Sequence, residues 1–376
     1  MDIATKGAAA GAGPVAPGAH VVVVEDDPFP RLLQVILDPA CDPARVEAFR
    51  HFLSLDLSDF DGWLARARAA AGPLYPARVL LAGSKAALDA ALPEATVLVT
   101  ESFHVGPDEL ARAPRLQAVQ KYGKVLRNID AAACAARGLP VLGVRRRANI
   151  ACAEHTMTLM LALAKRLPEV MGRISLRQLR EAGFEPRTYD RRHTANSNWA
   201  GIGGLRILHG DTLGILGMGE IGRELAPRAA AFGMRVLYFQ RTRLDAADEA
   251  ALSIEYAPLE RLLADSDWLS IQLPHGDSTR GFMDAARIAA MKKGAILINT
   301  SRSELVDRDA LIAALRSGHL GGLGLDTPYE EPARDDEELL GFRNVLVTPH
   351  TAAQPRFNAL GDFMDLLTGL GKAVAP

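Results

Sequence analysis

The sequence is short of cysteine, of long apolar runs and of any excess of charge, and each shortage removes a class of function. Of 376 residues only three are cysteines. Cys41, Cys134 and Cys152 form neither an even disulfide set nor a metal-ligand spacing, which fits structural thiols in a reducing, cytoplasmic compartment and no metal site. No uncharged apolar stretch reaches the roughly 18 residues of a membrane span; the nearest, 156–164, has about half that length. Residues 1–19 are rich in Ala, Gly and Pro but lack a basic start and an apolar core, so they read as a mobile tail and not a signal peptide. A formal net charge of −2 gives no general pull towards nucleic acid or membrane. Any anion binding must be local.

What remains is a chain too long for one hydrophobic core, with 48% hydrophobic and 23% charged residues, so two domains are expected. Short apolar segments at 20–24, 78–81, 96–99 and 116–120 alternate with helical stretches such as 84–92 and 107–112. A second series runs through 213–216, 235–239, 268–272, 295–299, 321–325 and 344–347. Such alternation predicts two doubly wound α/β domains with parallel sheets. The expected division is a flavodoxin-like substrate domain, 20–150 plus 351–376, with a Rossmann dinucleotide-binding domain, 151–350, inserted in it. The amphipathic segment 357–370 returns to complete the first domain. A helix from about 151 to 167, apolar almost all round over 157–164, should be buried between domains or between subunits. Residues 172–210 read as an irregular, Arg-rich and Gly-rich excursion.

Residues 212–222, Thr-Leu-Gly-Ile-Leu-Gly-Met-Gly-Glu-Ile-Gly, place a dinucleotide fingerprint in mid-chain. An apolar strand leads into the tight turn of Gly217, Gly219 and Gly222, with Glu220 and Ile221 among the cofactor-binding residues, and the helix Arg223–Phe232 offers its N-terminus to a pyrophosphate. The NAD-binding form of this unit carries an acid about 20 residues further on. Here the second strand ends in Gln240-Arg241-Thr242-Arg243, guanidinium groups where a carboxylate would repel a 2′-phosphate, so NADP(H) is preferred and NAD(H) possible. The alternative is that both arginines are solvated and either cofactor serves.

Three later stretches each put polar residues at the C-terminal end of an expected strand, where ligands bind in doubly wound sheets. They are Asn299-Thr300-Ser301-Arg302, then Asp326-Thr327-Pro328-Tyr329-Glu330-Glu331-Pro332, and Thr348-Pro349-His350-Thr351. An arginine, a glutamate and a histidine thus share one edge. With Asn128-Ile129-Asp130, Ala153-Glu154-His155-Thr156, Leu273-Pro274, Thr279-Arg280-Gly281 and Gly324-Leu325-Asp326, the chain resembles the D-isomer-specific 2-hydroxyacid dehydrogenase family over roughly residues 110–355.

That resemblance implies a catalytic trio. His350 exchanges the proton with the substrate oxygen, Glu331 holds its imidazole in the right tautomer, and Arg302 grips the substrate carboxylate. Glu331 is chosen over Glu330 because the family's acid immediately precedes the proline, here Pro332. Pro274, Thr300 and Asp326 join the cofactor site, with Asp326 bonding the nicotinamide carboxamide. A homodimer built on the long helix is also implied.

The substrate loop departs from the family's Gly-Val-Gly-x-Asp-Asn-Ile-Asp, reading Gly123-Lys124-Val125-Leu126-Arg127-Asn128-Ile129-Asp130. Val125 replaces a glycine, and Lys124 adds a cation, as in phosphite dehydrogenase. Arg145, Arg146 and Arg147 stand where the family more often has Pro and Gly. Lys124 and one of these arginines are expected to bind a second anionic group on the substrate, the alternative being a solvated basic patch. Ser303 replaces the glycine that usually follows the catalytic arginine. The leading expectation is an NADP(H)-preferring 2-ketoacid reductase acting on a small anionic substrate. A phosphite-type oxyanion dehydrogenase and a non-catalytic, nucleotide-sensing corepressor-like protein are the alternatives.

Overall fold

The computed structural model describes residues 20–375, and the expected tail at 1–19 lies outside the described residues. Two compact units result: residues 148–354 form one, and the flanking segments, through Arg147 and from Pro355, form the other.

In the flanking unit, β1 (His20–Glu25), β2 (Ala77–Ala82), β3 (Val97–Thr100), β4 (Ala118–Lys121) and β5 (Val141–Gly143) make one sheet. Its order is β2-β1-β3-β4-β5 and every pairing is parallel. This is the flavodoxin-like arrangement. The four successive valines of β1 are all buried, because a parallel strand covered on both faces needs a continuous apolar run and not an alternating one. The C-terminal helix Phe357–Ala373 buries Leu360, Phe363, Leu367 and Leu370, three or four residues apart, on one stripe. Phe363 stacks on Tyr122 with ring centroids 5.6 Å apart. That stripe is what brings the end of the chain back to the first sheet.

In the second unit, β6 (Thr212–Leu216), β7 (Arg235–Phe239), β8 (Glu255–Tyr256), β9 (Trp268–Ile271), β10 (Ile296–Asn299), β11 (Gly322–Leu325) and β12 (Val345–Val347) form a parallel sheet ordered β12-β11-β10-β9-β6-β7-β8. Counted within the unit this is the doubly wound nucleotide-binding order with a seventh strand added. The chain reverses its direction of strand addition between β6 and β9, which opens a crevice at the C-terminal edge beside the fingerprint.

The helix Arg147–Ala164 packs Ala153, Met157, Leu159, Met160 and Ala164 into the core formed with Ile215 and Ile298. A Cβ placed on Gly324 of β11 would stand 3.1 Å from the Leu159 Cβ, which measures how closely helix and sheet approach. Its inner face is therefore consumed inside one chain, while Ile150, Ala151, Leu161, Ala162 and Leu163 remain half-buried on the same helix. The excursion that follows behaves differently. It holds the short helix Leu176–Glu181, closed by a reciprocal Ser175–Gln178 capping box, yet Met171, Ile174 and Ile207 are 77%, 82% and 63% exposed. Among the described residues, no helix is long and apolar enough to cross a membrane and no cluster could hold a metal ion.

Candidate active site

The three fingerprint glycines are required for three different reasons. Gly217 has φ of 96°, and a Cβ there would lie 2.5 Å from the Gln272 carbonyl oxygen. A Cβ on Gly222 would meet the Gly217 carbonyl oxygen at 2.6 Å, so this glycine lets the helix Glu220–Ala231 sit against the turn. Around the Cβ position of Gly219 nothing lies within 4 Å, and this residue caps the helix without any side-chain acceptor for its first amides. Open space in front of the N–H groups at the positive end of a helix dipole suits a pyrophosphate. Ile221 packs against the core below, and Glu220 occupies the first turn.

At the end of β7 the two candidate phosphate ligands differ. Arg243 donates through Nε and Nη2 to both oxygens of Glu249, each at 2.8 Å, and lies over the Tyr256 ring. With the Arg243 guanidinium and the Tyr238 hydroxyl both donating to it, the Glu249 carboxyl is held down to about 2. Arg241 is exposed and makes no side-chain hydrogen bond or ion pair among the described residues. Gln240 is buried and donates to the Thr242 carbonyl at 2.6 Å, shaping the turn that carries Arg241. Pro274 is exposed in the loop after β9. Thr300 is buried with its hydroxyl 3.0 Å from that of Thr156 and accepting from Gln272 Nε2 at 3.1 Å, so that hydroxyl is committed within the protein.

The candidate pair Glu331 and His350 lies on the loops after β11 and β12. His350 Nδ1 is 3.1 Å from the Glu331 carboxylate, and each side chain is 44% exposed. Donation from Nδ1–H to Glu331 leaves Nε2 for chemistry. His350 has φ of 54°, an uncommon left-handed conformation for a residue with a side chain. Its own N–H donates to the Asp326 carbonyl at 2.7 Å and the Thr348 carbonyl at 2.9 Å, which holds the turn.

Asp326 itself is fully buried, and its carboxylate is occupied. Oδ1 accepts from the Thr348 hydroxyl at 2.6 Å and the Thr351 amide at 2.9 Å, while Oδ2 accepts from the Ala352 amide at 2.9 Å. His155 Nε2 joins from the long helix, 2.9 Å from the Thr348 hydroxyl and 3.4 Å from Asp326. The carboxylate expected to bond a nicotinamide carboxamide is thus turned inward to pin the His350 loop. Neither Thr348 nor His155 was assigned a role from the sequence. The signal for them is the pairing of a buried acid at one strand end with a Thr-Pro-His at the next, legible only once β11 and β12 are known to be neighbours.

Arg302 leaves the end of β10 exposed, with Nη1 donating to the Ser301 carbonyl at 2.7 Å. Its loop is braced by Asn299, whose Nδ2 donates to the Arg302 carbonyl at 2.8 Å, and by Ser301 donating to the Ile271 carbonyl at 2.8 Å. Ser303 is buried, and its hydroxyl reaches the Pro328 carbonyl at 3.2 Å. The serine in the usual glycine position therefore ties the arginine loop to the glutamate loop.

In the flanking unit, the loop after β4 carries Lys124, exposed, and Val125, half-buried. It is fixed at both ends: Val144 N–H donates to the Gly123 carbonyl at 2.9 Å, and buried Lys121 donates to Asn128 Oδ1 at 2.9 Å and to the Glu101 carbonyl. Arg146 Nη1 donates to Glu101 at 2.6 Å while its guanidinium lies 4.5 Å from the Tyr122 ring centroid. Burial pushes the Glu101 carboxyl up, and the neighbouring Arg146 only partly offsets this. Arg147 pairs with Asp362 and Asp365, each at 2.9 Å. Two of the three consecutive arginines, Arg146 and Arg147, are therefore paired with carboxylates of the same unit.

Residues 157–352 match the model of the D-isomer specific 2-hydroxyacid dehydrogenase, NAD binding domain. A glyoxylate reductase of Thermococcus litoralis is 36% identical over 255 residues, 67% of this chain and 72% of the relative. A glyoxylate/hydroxypyruvate reductase B of Erwinia tasmaniensis is 36% identical over 267 residues, 70% of this chain and 78% of that one. Among solved structures, the apo form of Rhodotorula graminis D-mandelate dehydrogenase superposes with a TM-score of 0.54 at 23% identity, covering 93% of each chain, a likeness of fold.

Proposed function

We propose, from the premise that this chain belongs to the D-isomer specific 2-hydroxyacid dehydrogenase family, that it reduces a small 2-ketoacid with NADPH and oxidises the D-2-hydroxyacid in reverse. The observation that carries this reading is the Glu331–His350 contact of 3.1 Å on a loop pinned by buried Asp326. A bound nicotinamide supplies the hydride to the carbonyl carbon in reduction and takes it up in oxidation. His350 delivers the proton from Nε2 to the carbonyl oxygen as the C=O π bond breaks, giving the hydroxyl, and removes it in the reverse direction. Glu331 keeps Nδ1 protonated and the ring oriented. Arg302 binds the substrate carboxylate with its planar fork and withdraws electron density from the adjacent carbonyl. Asp326 acts through the loop and is a positioning residue.

The amides around Gly219, Glu220 and Ile221 would hold the cofactor's pyrophosphate, and Arg241, flanked by Gln240 and Thr242, would bind a 2′-phosphate. Arg243 orders that turn through Glu249. Glyoxylate and hydroxypyruvate are the first substrates to test, because the 36%-identical relatives carry those names. Lys124 and Val125 shape the substrate loop. The reducing-compartment reading is supported by three cysteines of which none is in a disulfide, and we assign the enzyme to the cytoplasm. We also propose a homodimer, its contact made by the half-buried apolar residues of the long helix together with those exposed on the excursion.

Following reduced-nucleotide absorbance with glyoxylate, hydroxypyruvate and pyruvate, and phosphite plus NADP as a separate reaction, tests the reading. It requires ketoacid turnover with kcat/KM at least about tenfold higher for NADPH than for NADH, the worth of one charge-assisted phosphate contact. Turnover of phosphite alone moves the assignment to an oxyanion dehydrogenase. Nucleotide binding without any turnover moves it to a sensing protein.

A further inference from the structure

Between the loop after β1 and the helix Pro43–Leu53 lies a hollow of about 360 Å³, within the size range of small-molecule sites. Phe29, Ala48, Phe49 and Phe52 line it, with Arg31 and Arg45 at its edge. None of these residues has a part in the reaction proposed above. The helix is held in place by its Asp42 cap, yet it fully buries only Leu53. Its inward aromatic face is left half-covered: Phe29, Phe49 and Phe52 are each partly exposed, and Phe29 meets Phe52 edge to face at 5.8 Å. Three phenylalanines exposed to water in one concavity give an apolar ligand a driving force.

The charges around the hollow specify the other half of that ligand. Arg31 is neutralised by Asp26 at 2.5 Å. Arg45 donates to the amide oxygen of Gln34, a neutral acceptor, and has no carboxylate within ion-pair distance among the described residues. The Arg356 guanidinium lies 4.0 Å from the Phe52 ring centroid and donates to the Phe52 carbonyl; its backbone N–H donates to the Asp56 carboxylate at 2.9 Å, but the guanidinium has no carboxylate within ion-pair distance among the described residues, and its Nε is buried and unpaired. An apolar floor beside two uncompensated guanidinium groups matches a molecule with a ring at one end and an anion at the other. A bare inorganic anion would leave the floor wet, and a neutral hydrocarbon would leave the cations unpaired.

We propose that this hollow is a second binding site, for a small organic carboxylate with an aromatic or branched apolar body, its carboxylate on Arg45 and its body among Phe29, Phe49 and Phe52. The site is independent of the catalytic reading. Isothermal titration of the full-length protein with 3-phenylpropionate tests it, because that acid lacks a 2-oxo group and is not turned over. Titrating an Arg302→Met background removes the catalytic carboxylate site from the signal. The expected result is saturable binding with Kd at or below about 1 mM that survives Arg302→Met. It should weaken about tenfold or more in Arg45→Gln, in Ala48→Leu, which fills the hollow from an exposed helix position, and for the neutral 3-phenylpropanol. Arg45→Lys should recover part of the loss. Unchanged 2-ketoacid reduction, or unchanged near-ultraviolet circular dichroism, certifies the fold of these variants. Absence of saturable binding, loss of binding only with Arg302→Met, or equal affinity for the alcohol would each overturn the proposal.

Discussion

Arg241 and Arg243 are two residues apart on one turn, and their surroundings give them different tasks. Arg243 already has a bidentate carboxylate in Glu249, so its charge is compensated before any phosphate arrives. Arg241 has no such partner. Arg241→Ala should raise the Kd for NADPH by roughly 10- to 100-fold while leaving that for NADH within about twofold, and Arg243→Ala should have the smaller effect. Fluorescence titration of both nucleotides checks this; equal weakening of NADH and NADPH by Arg241→Ala would remove it from the 2′-phosphate. Lys124 is the second discriminating residue. If it meets a distal anion, Lys124→Met raises KM for a dianionic 2-ketoacid such as oxaloacetate by about tenfold more than for glyoxylate, with kcat little changed. Equal losses for both substrates would return Lys124 to the solvated surface. Neither the pinning of Arg146 by Glu101 nor the sequestering of Arg243 could be read from the chain, because each depends on a partner brought close by folding, 45 residues away in the first case.

The elements of both sheets were legible because parallel strands covered on two faces leave continuous apolar runs, as in the valines of β1 and the run into Gly217. Their ends were harder to read. A residue at the C-terminal edge serves either a ligand or the neighbouring loop, and composition does not distinguish the two: Asp326 looks like a cofactor ligand in sequence and holds the His350 loop in the fold. Glu25, at the end of β1, shows the same use of an acid. Its Oε2 accepts from the Thr100 hydroxyl and from the Glu101 and Ser102 amides, each at 2.7 Å, and these bonds outweigh burial in holding its carboxyl below the usual range. Because the folded-state value is depressed, the resulting stability is fully present above the unfolded-state value, near 4.5, and is lost as pH falls through the lower folded value. Glu25→Gln should therefore cost on the order of 2 kcal/mol at pH 7 and progressively less below about pH 4. Urea denaturation at both pH values checks this; a pH-independent difference would mean that the charge is not what orders the loop.

At the scale of the whole molecule, the split flanking unit and the inserted nucleotide-binding unit follow from one feature, the apolar stripe of Phe357–Ala373 that returns the chain to its first sheet. Assembly is argued from a different feature. The proposed dimer contact uses Met171, Ile174 and Ile207, which are among the most exposed large apolar residues of the described chain. Sedimentation velocity should find a dimer that Ile174→Asp shifts towards monomer, and a wild-type monomer at micromolar concentration would contradict the assignment.

The central claim is that hydride transfer to a 2-ketoacid depends on His350 held by Glu331. Its most direct test is the steady-state rate of NADPH oxidation with glyoxylate by the wild type, Glu331→Gln and His350→Gln, with NADPH affinity measured alongside. The account requires kcat to fall by at least about 10²-fold in both variants, further in His350→Gln, with NADPH affinity within about twofold of the wild type. Turnover by His350→Gln within tenfold of the wild type would place the proton donor elsewhere.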